Sequence, residues 1–290
     1  MGAFNTKSRW NKAWILATVV SLMLYDLYWI RGVYTRIYER LLENLPDITA
    51  KYPNFYIDHV AGGIADTLRL IAVILLFIAA YLAWGPKKQP FTAEKKYAAI
   101  FILFEAIYWL AILPFNLLNI ARERSPLLLY VGFVIQILAA APLLIILSVK
   151  TWRYKEGARN NFIKWGCITG IGYIFGMWIN NTLRWFSMSG QRGLADLFTG
   201  ITTLGFLNTA ITLTLSLAFA IAGSYILIKR NNWKLAVRLL GLAILLFGLH
   251  FVLYIAYSWF APDAWRFVLL TEIWPVPLIG LGIGMLKGKV

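Results

Sequence analysis

Residues 59–88 read HVAGGIADTLRLIAVILLFIAAYLAWGPKK, and the seventeen positions between Arg69 and Lys87 hold no charge. A run of roughly 20 apolar residues is what a helix needs to cross a hydrocarbon core ~30 Å thick. Asp66 and Arg69 stand three positions apart just before that run. On a helix they share one face and can pair directly. The stretch predicts a membrane helix with a carboxylate and a guanidinium near one end.

The rest of the chain agrees. Of 290 residues, 60% are hydrophobic and 14% are charged, with a mean hydropathy of +0.67. A soluble domain carries about a quarter of its residues as charges. No water-soluble shape of this length could cover so much apolar surface. Eight apolar runs can be drawn: Ala13–Ile30, Ile64–Trp84, Tyr97–Ile120, Leu127–Val149, Phe162–Asn181, Thr203–Ile228, Leu235–Phe260 and Phe267–Leu286. In lipid the backbone must satisfy its own hydrogen bonds, so these runs are helices. Barrel strands would alternate apolar with polar over ~10 residues, and none of the runs does. The expected fold is an all-α, polytopic integral membrane bundle of eight transmembrane helices.

The first run follows Lys7, Arg9 and Lys12, as a signal peptide would. It is longer than the ~7–15 residues of a signal core, contains Asp26 and leaves through YWIRGVYTR, so it reads as a retained helix. Eight spans place both termini on one side. The tails and the joints around 87–96, 150–164 and 229–238 carry eighteen basic residues against Glu94 and Glu156. The other face is nearly balanced. Lys and Arg collect on the cytoplasmic side, so both termini are expected there, in a plasma membrane of prokaryotic type.

That asymmetry also explains the sequence pI near 9.9, which in a soluble chain would suggest nucleic acid. Here it is topology, and it calls for no nucleic-acid partner. The partners it implies are the bilayer itself and anionic lipids at the basic face. The only cysteine, Cys167, excludes an intrachain disulfide and a multi-cysteine metal site, and two histidines argue against a histidine-built one. The sequence names no cofactor.

The chain can be laid on itself as parallel halves, 1–156 and 157–290, pairing Asp66 with Asn208, Gln136 with Glu272 and Pro142 with Pro277. Repeats of this kind occur in transporters. Between the first two spans, Val33, Ile37, Leu41 and Leu45 share a helical face, which suits an amphipathic helix in the outer interface. In the fifth span, Gly166/Gly170 and Gly172/Gly176 repeat every four residues, the spacing that lets helices approach closely. They read as packing surfaces or a protomer interface with a second copy or a membrane-complex partner. The stripe Gly205, Thr209, Thr212, Ser216 and Gly223 in the sixth span reads the same way.

Orientation turns the unusual polar residues into a depth map. Asp26, Asp66, Arg69, Asn116, His250 and Glu272 all fall in the outer half, and Glu105 lies about a third of the way along the third span. Charges at such depths are costly, so they pair or line a wet cavity. Glu105 shares a stripe with Trp109, Ile112 and Asn116 and has no base nearby in sequence. Its partner must come from another helix, and a carboxyl so placed suits proton coupling or acid–base work. Glu272 precedes Pro275 and Pro277, and interrupted helices beside an acid point to transporter sites.

Motifs of soluble enzymes are absent: H-E-x-x-H, a P-loop, and G-x-G-x-x-G after a strand. Ser189 beside Arg192 has no base in reach of its own segment, and a serine nucleophile requires one. The candidate ion- or substrate-binding set is therefore Asp26, Asp66, Arg69, Glu105, Asn116, His250 and Glu272. They are read as surrounding an outward-facing cavity in an ion- or proton-coupled transporter. The alternatives are a non-catalytic subunit of a membrane complex, and an enzyme acting on a lipid-linked or extracytoplasmic substrate.

Overall fold

The computed structural model describes residues 13–14, 16–25, 27, 62–84, 92–121, 127–154, 159–192, 205–230, 232–260 and 275–288. The described residues are helical apart from short caps and turns and include no strand. The helices are α1 (Leu16–Tyr25), α2 (Gly62–Trp84), α3 (Thr92–Ala121), α4 (Leu127–Trp152), α5 (Arg159–Arg192), α6 (Gly205–Arg230), α7 (Trp233–Phe260) and α8 (Pro275–Leu286). The amphipathic segment expected around Val33–Leu45 lies outside the described residues, as do Asp26 and Glu272.

Among the described residues, five stretches are long and apolar enough to cross a membrane: Lys95–Leu118, Leu127–Trp152, Asn161–Ser187, Gly205–Arg230 and Trp233–Tyr254. Shorter apolar stretches at Leu16–Tyr25, Thr67–Ile78 and Pro275–Leu286 fall on three further runs of the sequence. At 1.5 Å per residue, the 26 residues of α4 reach ~39 Å, more than a hydrocarbon core requires.

Burial is inverted relative to a water-soluble protein. Gln136, Ser216 and His250 are at most 2% exposed, whereas Leu138 is 58% and Ile211 54% exposed. Small and polar side chains make up much of the interior, beside a few aliphatic ones such as Ile137 and Leu213, and many large aliphatic side chains face outward. Such a surface is stable only against hydrocarbon, because apolar side chains lose nothing to lipid while polar groups must find partners inside. The described residues are those of an integral membrane protein.

Packing runs mainly between sequence neighbours. α2, α3, α4 and α5 follow one another, and α6, α7 and α8 form a second tightly packed set; contact between α5 and α6 is sparser. Each set closes on small residues. A Cβ on Gly176 of α5 would lie 3.0 Å from Gln136 Cα on α4, and one on Gly282 of α8 would lie 2.7 Å from Gly241 O on α7. Hydroxyls reinforce the pairs: Ser148 donates to Ala99 O at 2.7 Å and Ser216 to Ala243 O at 2.8 Å. The sparser α5–α6 junction is bridged by indole N–H donors, Trp178 to Thr214 Oγ1 at 3.0 Å and Trp185 to Thr209 Oγ1 at 2.9 Å.

The four glycines of α5, alike in spacing, differ in role. Gly172 and Gly176 sit against α4, but no atom lies within 4 Å of a Cβ built on Gly166 or Gly170. Gly176→Leu therefore overpacks the α4–α5 contact, at a cost of about 1–3 kcal/mol or more. Thermal unfolding in detergent should show a clear fall in midpoint for Gly176→Leu and little change for Gly170→Leu. Equal effects would disprove the assignment of the two pairs.

Candidate functional site

A membrane bundle leaves room inside wherever bulky or polar side chains hold helices apart. Here a cavity of about 280 Å³ is lined from six helices. Tyr25 comes from α1, Trp109 from α3, Phe133 and Gln136 from α4, and Pro275 from α8. α5 supplies Met177, Asn180, Asn181 and Arg184, and α7 supplies His250, Phe251 and Tyr254. The volume suits a small solute, at the lower end of small-molecule sites.

The polar wall is built across helices. Asn180 Nδ2 donates to Gln136 Oε1 at 2.7 Å, and Gln136 Nε2 in turn donates to Met177 Sδ. Asn181 Nδ2 donates back to Met177 O at 2.9 Å. Arg184, one turn beyond Asn180, lays its guanidinium 5.6 Å from the centre of the Tyr254 ring. Such stacking holds a cation while leaving its N–H donors to others. Two buried atoms of cavity-lining side chains, Trp109 Nε1 and Asn180 Oδ1, have no hydrogen-bond partner among the described residues. Both atoms are enclosed by the bundle, and Asn180 Oδ1 is packed against Gly132 of α4, where an added Cβ would lie 2.8 Å from it.

His250 is fixed from behind. Residues Thr209–Leu213 of α6 form a π-helical turn, a local widening common at functional sites. Beside it, Asn208 Nδ2 donates to His250 O at 3.0 Å, and Thr212 Oγ1 lies 3.2 Å from His250 Nδ1. Thr212 Oγ1 also lies within donating reach of Asn208 O and Oδ1, and a Thr212 proton given to Asn208 fixes the tautomer of the histidine. His250 Nδ1 is then the donor to Thr212, and Nε2 is left as an acceptor on a ring that lines the cavity.

At its Trp109–Phe251 side the cavity is backed by rings. Trp109 meets Tyr173 edge-on at 6.2 Å, Tyr173 meets Phe247 at 6.2 Å, and Phe247 meets Phe251 at 5.1 Å. These are favourable T-shaped geometries. The ladder crosses from α3 through α5 to α7.

Arg69 and Glu105 form an ion pair, Nε to Oε1 at 3.3 Å, between α2 and α3. The guanidinium also faces the rings of Tyr108 at 4.9 Å and Tyr25 at 5.6 Å. Tyr25 and Trp109 place this cluster beside the cavity wall. Glu105 thus takes its partner from a neighbouring helix, 36 positions away. Asp66 is in α2, but its side chain lies outside the described residues, so the expected Asp66–Arg69 contact does too.

The sequence-derived candidates separate accordingly. His250 lines the cavity, and Arg69 with Glu105 stands next to it. Asn116 turns back on its own helix, donating to Ile112 O at 2.8 Å, and is not among the lining residues. Tyr25 and Pro275, which do line it, are close in sequence to Asp26 and Glu272. Gln136, Asn180, Asn181 and Arg184 line the cavity outside the candidate set; a glutamine within an apolar run is the sequence signal for the first, and the other three stand at the end of a span. Among the described residues no three His, Cys, Asp or Glu side chains are grouped to hold a metal ion.

The chain matches no protein-family model, no curated protein and no solved structure.

The ion pair has a measurable consequence. Both side chains are less than one-fifth exposed, and removing one partner of a buried pair costs about 3–5 kcal/mol. Glu105→Leu should lower unfolding stability by about the lower of those values, and adding Arg69→Met should restore much of it. Additive losses in the double-mutant cycle would show that the two charges do not interact.

Proposed function

We propose that the chain is an eight-span membrane carrier with both termini cytoplasmic, residing in a plasma membrane of prokaryotic type. Its cavity opens outward and binds a small, polar, anionic solute. The observation that carries this reading is the 280 Å³ cavity lined by Arg184, His250, Gln136, Asn180 and Asn181 in the interior of a membrane bundle. Polar groups in that setting are expensive, and their usual purpose is a substrate or ion path.

Each part then has a task. Arg184, stacked on Tyr254, supplies the positive charge that attracts an anion. His250 Nε2 accepts a hydrogen bond from a hydroxyl or amine of the same solute. The Trp109–Tyr173–Phe247–Phe251 ladder closes the path toward the cytoplasm in this conformation. The Arg69–Glu105 pair is the coupling element: protonating Glu105 removes the counter-charge that holds Arg69, and alters the wall formed by Tyr25 and Trp109. Asp26, Asp66 and Glu272 remain members of the proposed site on their sequence positions. The halves 1–156 and 157–290 remain the proposed repeat, consistent with parallel duplications in carriers.

Two experiments test this reading. Cysteines placed at residue 2 and at residue 45, in a Cys167→Ser background, should be labelled by an impermeant thiol reagent from opposite sides of the membrane. Labelling from the same side would overturn the topology. In proteoliposomes under an inward proton gradient, small carboxylates, neutral polyols and amines serve as three probe classes. Uptake is expected for the carboxylates, reduced at least tenfold by Arg184→Ala. Glu105→Gln and Glu272→Gln should abolish its dependence on the gradient. Absence of uptake in all three classes would reject the carrier.

A further inference from the structure

A second space lies on the far side of the aromatic ladder. Leu144 and Leu147 of α4, Gly166 and Gly170 of α5, Ile244 of α7 and Leu278 of α8 surround a cleft of about 390 Å³. Tyr173 and Phe247 form its end, so the same rings separate it from the polar cavity. The lining offers almost nothing to hold water. The Thr169 hydroxyl is already spent on Leu143 O at 3.3 Å, and apolar cavities stay dry. The floor is open: nothing lies within 4 Å of a Cβ on Gly166 or Gly170, and Gly170 itself is exposed.

The mouth is basic. Lys150 lies one turn beyond Leu147, and its Nζ sits 6.0 Å from the centre of the Trp165 ring, next to Gly166. Arg153 and Lys164, at the same ends of α4 and α5, are exposed. A tryptophan and lysines at this position mark the headgroup level of a bilayer. From Trp165 to Tyr173 the helix rises ~12 Å, a depth that takes an acyl chain lying along the bundle.

We propose that this cleft is a binding site for one anionic phospholipid of the adjacent leaflet, its acyl chain along Gly166 and Gly170 and its phosphate at Lys150. The tail fills a space that water and protein leave open, and the charge at the mouth selects the headgroup. Basic pockets between membrane helices recognise anionic lipids in this way. The site is independent of the solute cavity and of the transport reading.

The test is a native mass spectrum of the full chain in detergent with equimolar phosphatidylglycerol and phosphatidylcholine. Wild type should retain one phospholipid, preferentially phosphatidylglycerol. Gly170→Leu, which occupies the cleft, should reduce the adduct at least tenfold while leaving the unfolding midpoint near wild type. Lys150→Gln should keep the adduct but reduce the preference for phosphatidylglycerol about fivefold, the value of one basic residue near a headgroup. An unchanged adduct in Gly170→Leu would overturn the proposal. So would a dimeric wild type that Gly170→Leu renders monomeric, since a second copy would then cover the cleft.

Discussion

Hydrocarbon solvates no polar group, and this single constraint orders the molecule. In water, Gln136, Asn208, Ser216 and His250 could remain outside at no cost; in a bilayer each must be satisfied within the bundle. The structure meets the demand across helix boundaries: Asn180 to Gln136, Asn208 to the His250 carbonyl, Ser216 to the Ala243 carbonyl. Hydrophobic burial drives little here, because lipid is as apolar as leucine. Close approach through small residues and these directional bonds decide which helices adjoin.

Arg69 shows the constraint at its most severe. A guanidinium carries a charge it cannot shed, so α2 can pack only where a counter-charge and compatible surfaces exist. Glu105 provides the first, and Tyr108 and Tyr25 the second. Three helices are thereby tied at one point, beside the wall of the polar cavity. Position rather than type decides the use of a polar residue: Asn116 satisfies itself on its own helix, while Asn180, at the end of another apolar run, becomes part of a network.

The class of fold was legible because it depends on one-dimensional quantities: length of apolar runs, spacing of charges, and the scarcity of Cys and His. The site was only half legible. His250 and the Arg69–Glu105 neighbourhood could be named, since a polar residue inside an apolar run is conspicuous in any sequence. The partner of Glu105 could not, because a cross-helix contact depends on the rotation of two helices about their axes, and no local spacing encodes that. The same limit applies to glycine. Gly166/Gly170 and Gly172/Gly176 have identical spacing, yet only the second pair meets a neighbouring backbone. Asn180, Asn181 and Arg184 looked like the polar end of a span, and only the arrangement of α4, α5 and α7 turns them into the lining of a cavity.

The uneven packing of the bundle bears on its mechanics. α2–α5 and α6–α8 are each packed closely on small residues, whereas the sparser α5–α6 junction is held by Gly205 against the Trp185 ring and by the Trp178–Thr214 and Trp185–Thr209 bonds. An interlocked contact resists sliding, since ridges must leave grooves before anything moves. A hydrogen bond between an indole and a hydroxyl swings through a range of angles at small cost. α5 and α6 touch less extensively than neighbours within either set, and α1 with the preceding Trp14 adds a second link, Trp14 lying against Gly280 of α8 and Tyr25 beside Arg69 of α2. Of the ladder's steps, Tyr173–Phe247 alone joins one set to the other, so any movement between the sets has to be carried through that ring contact.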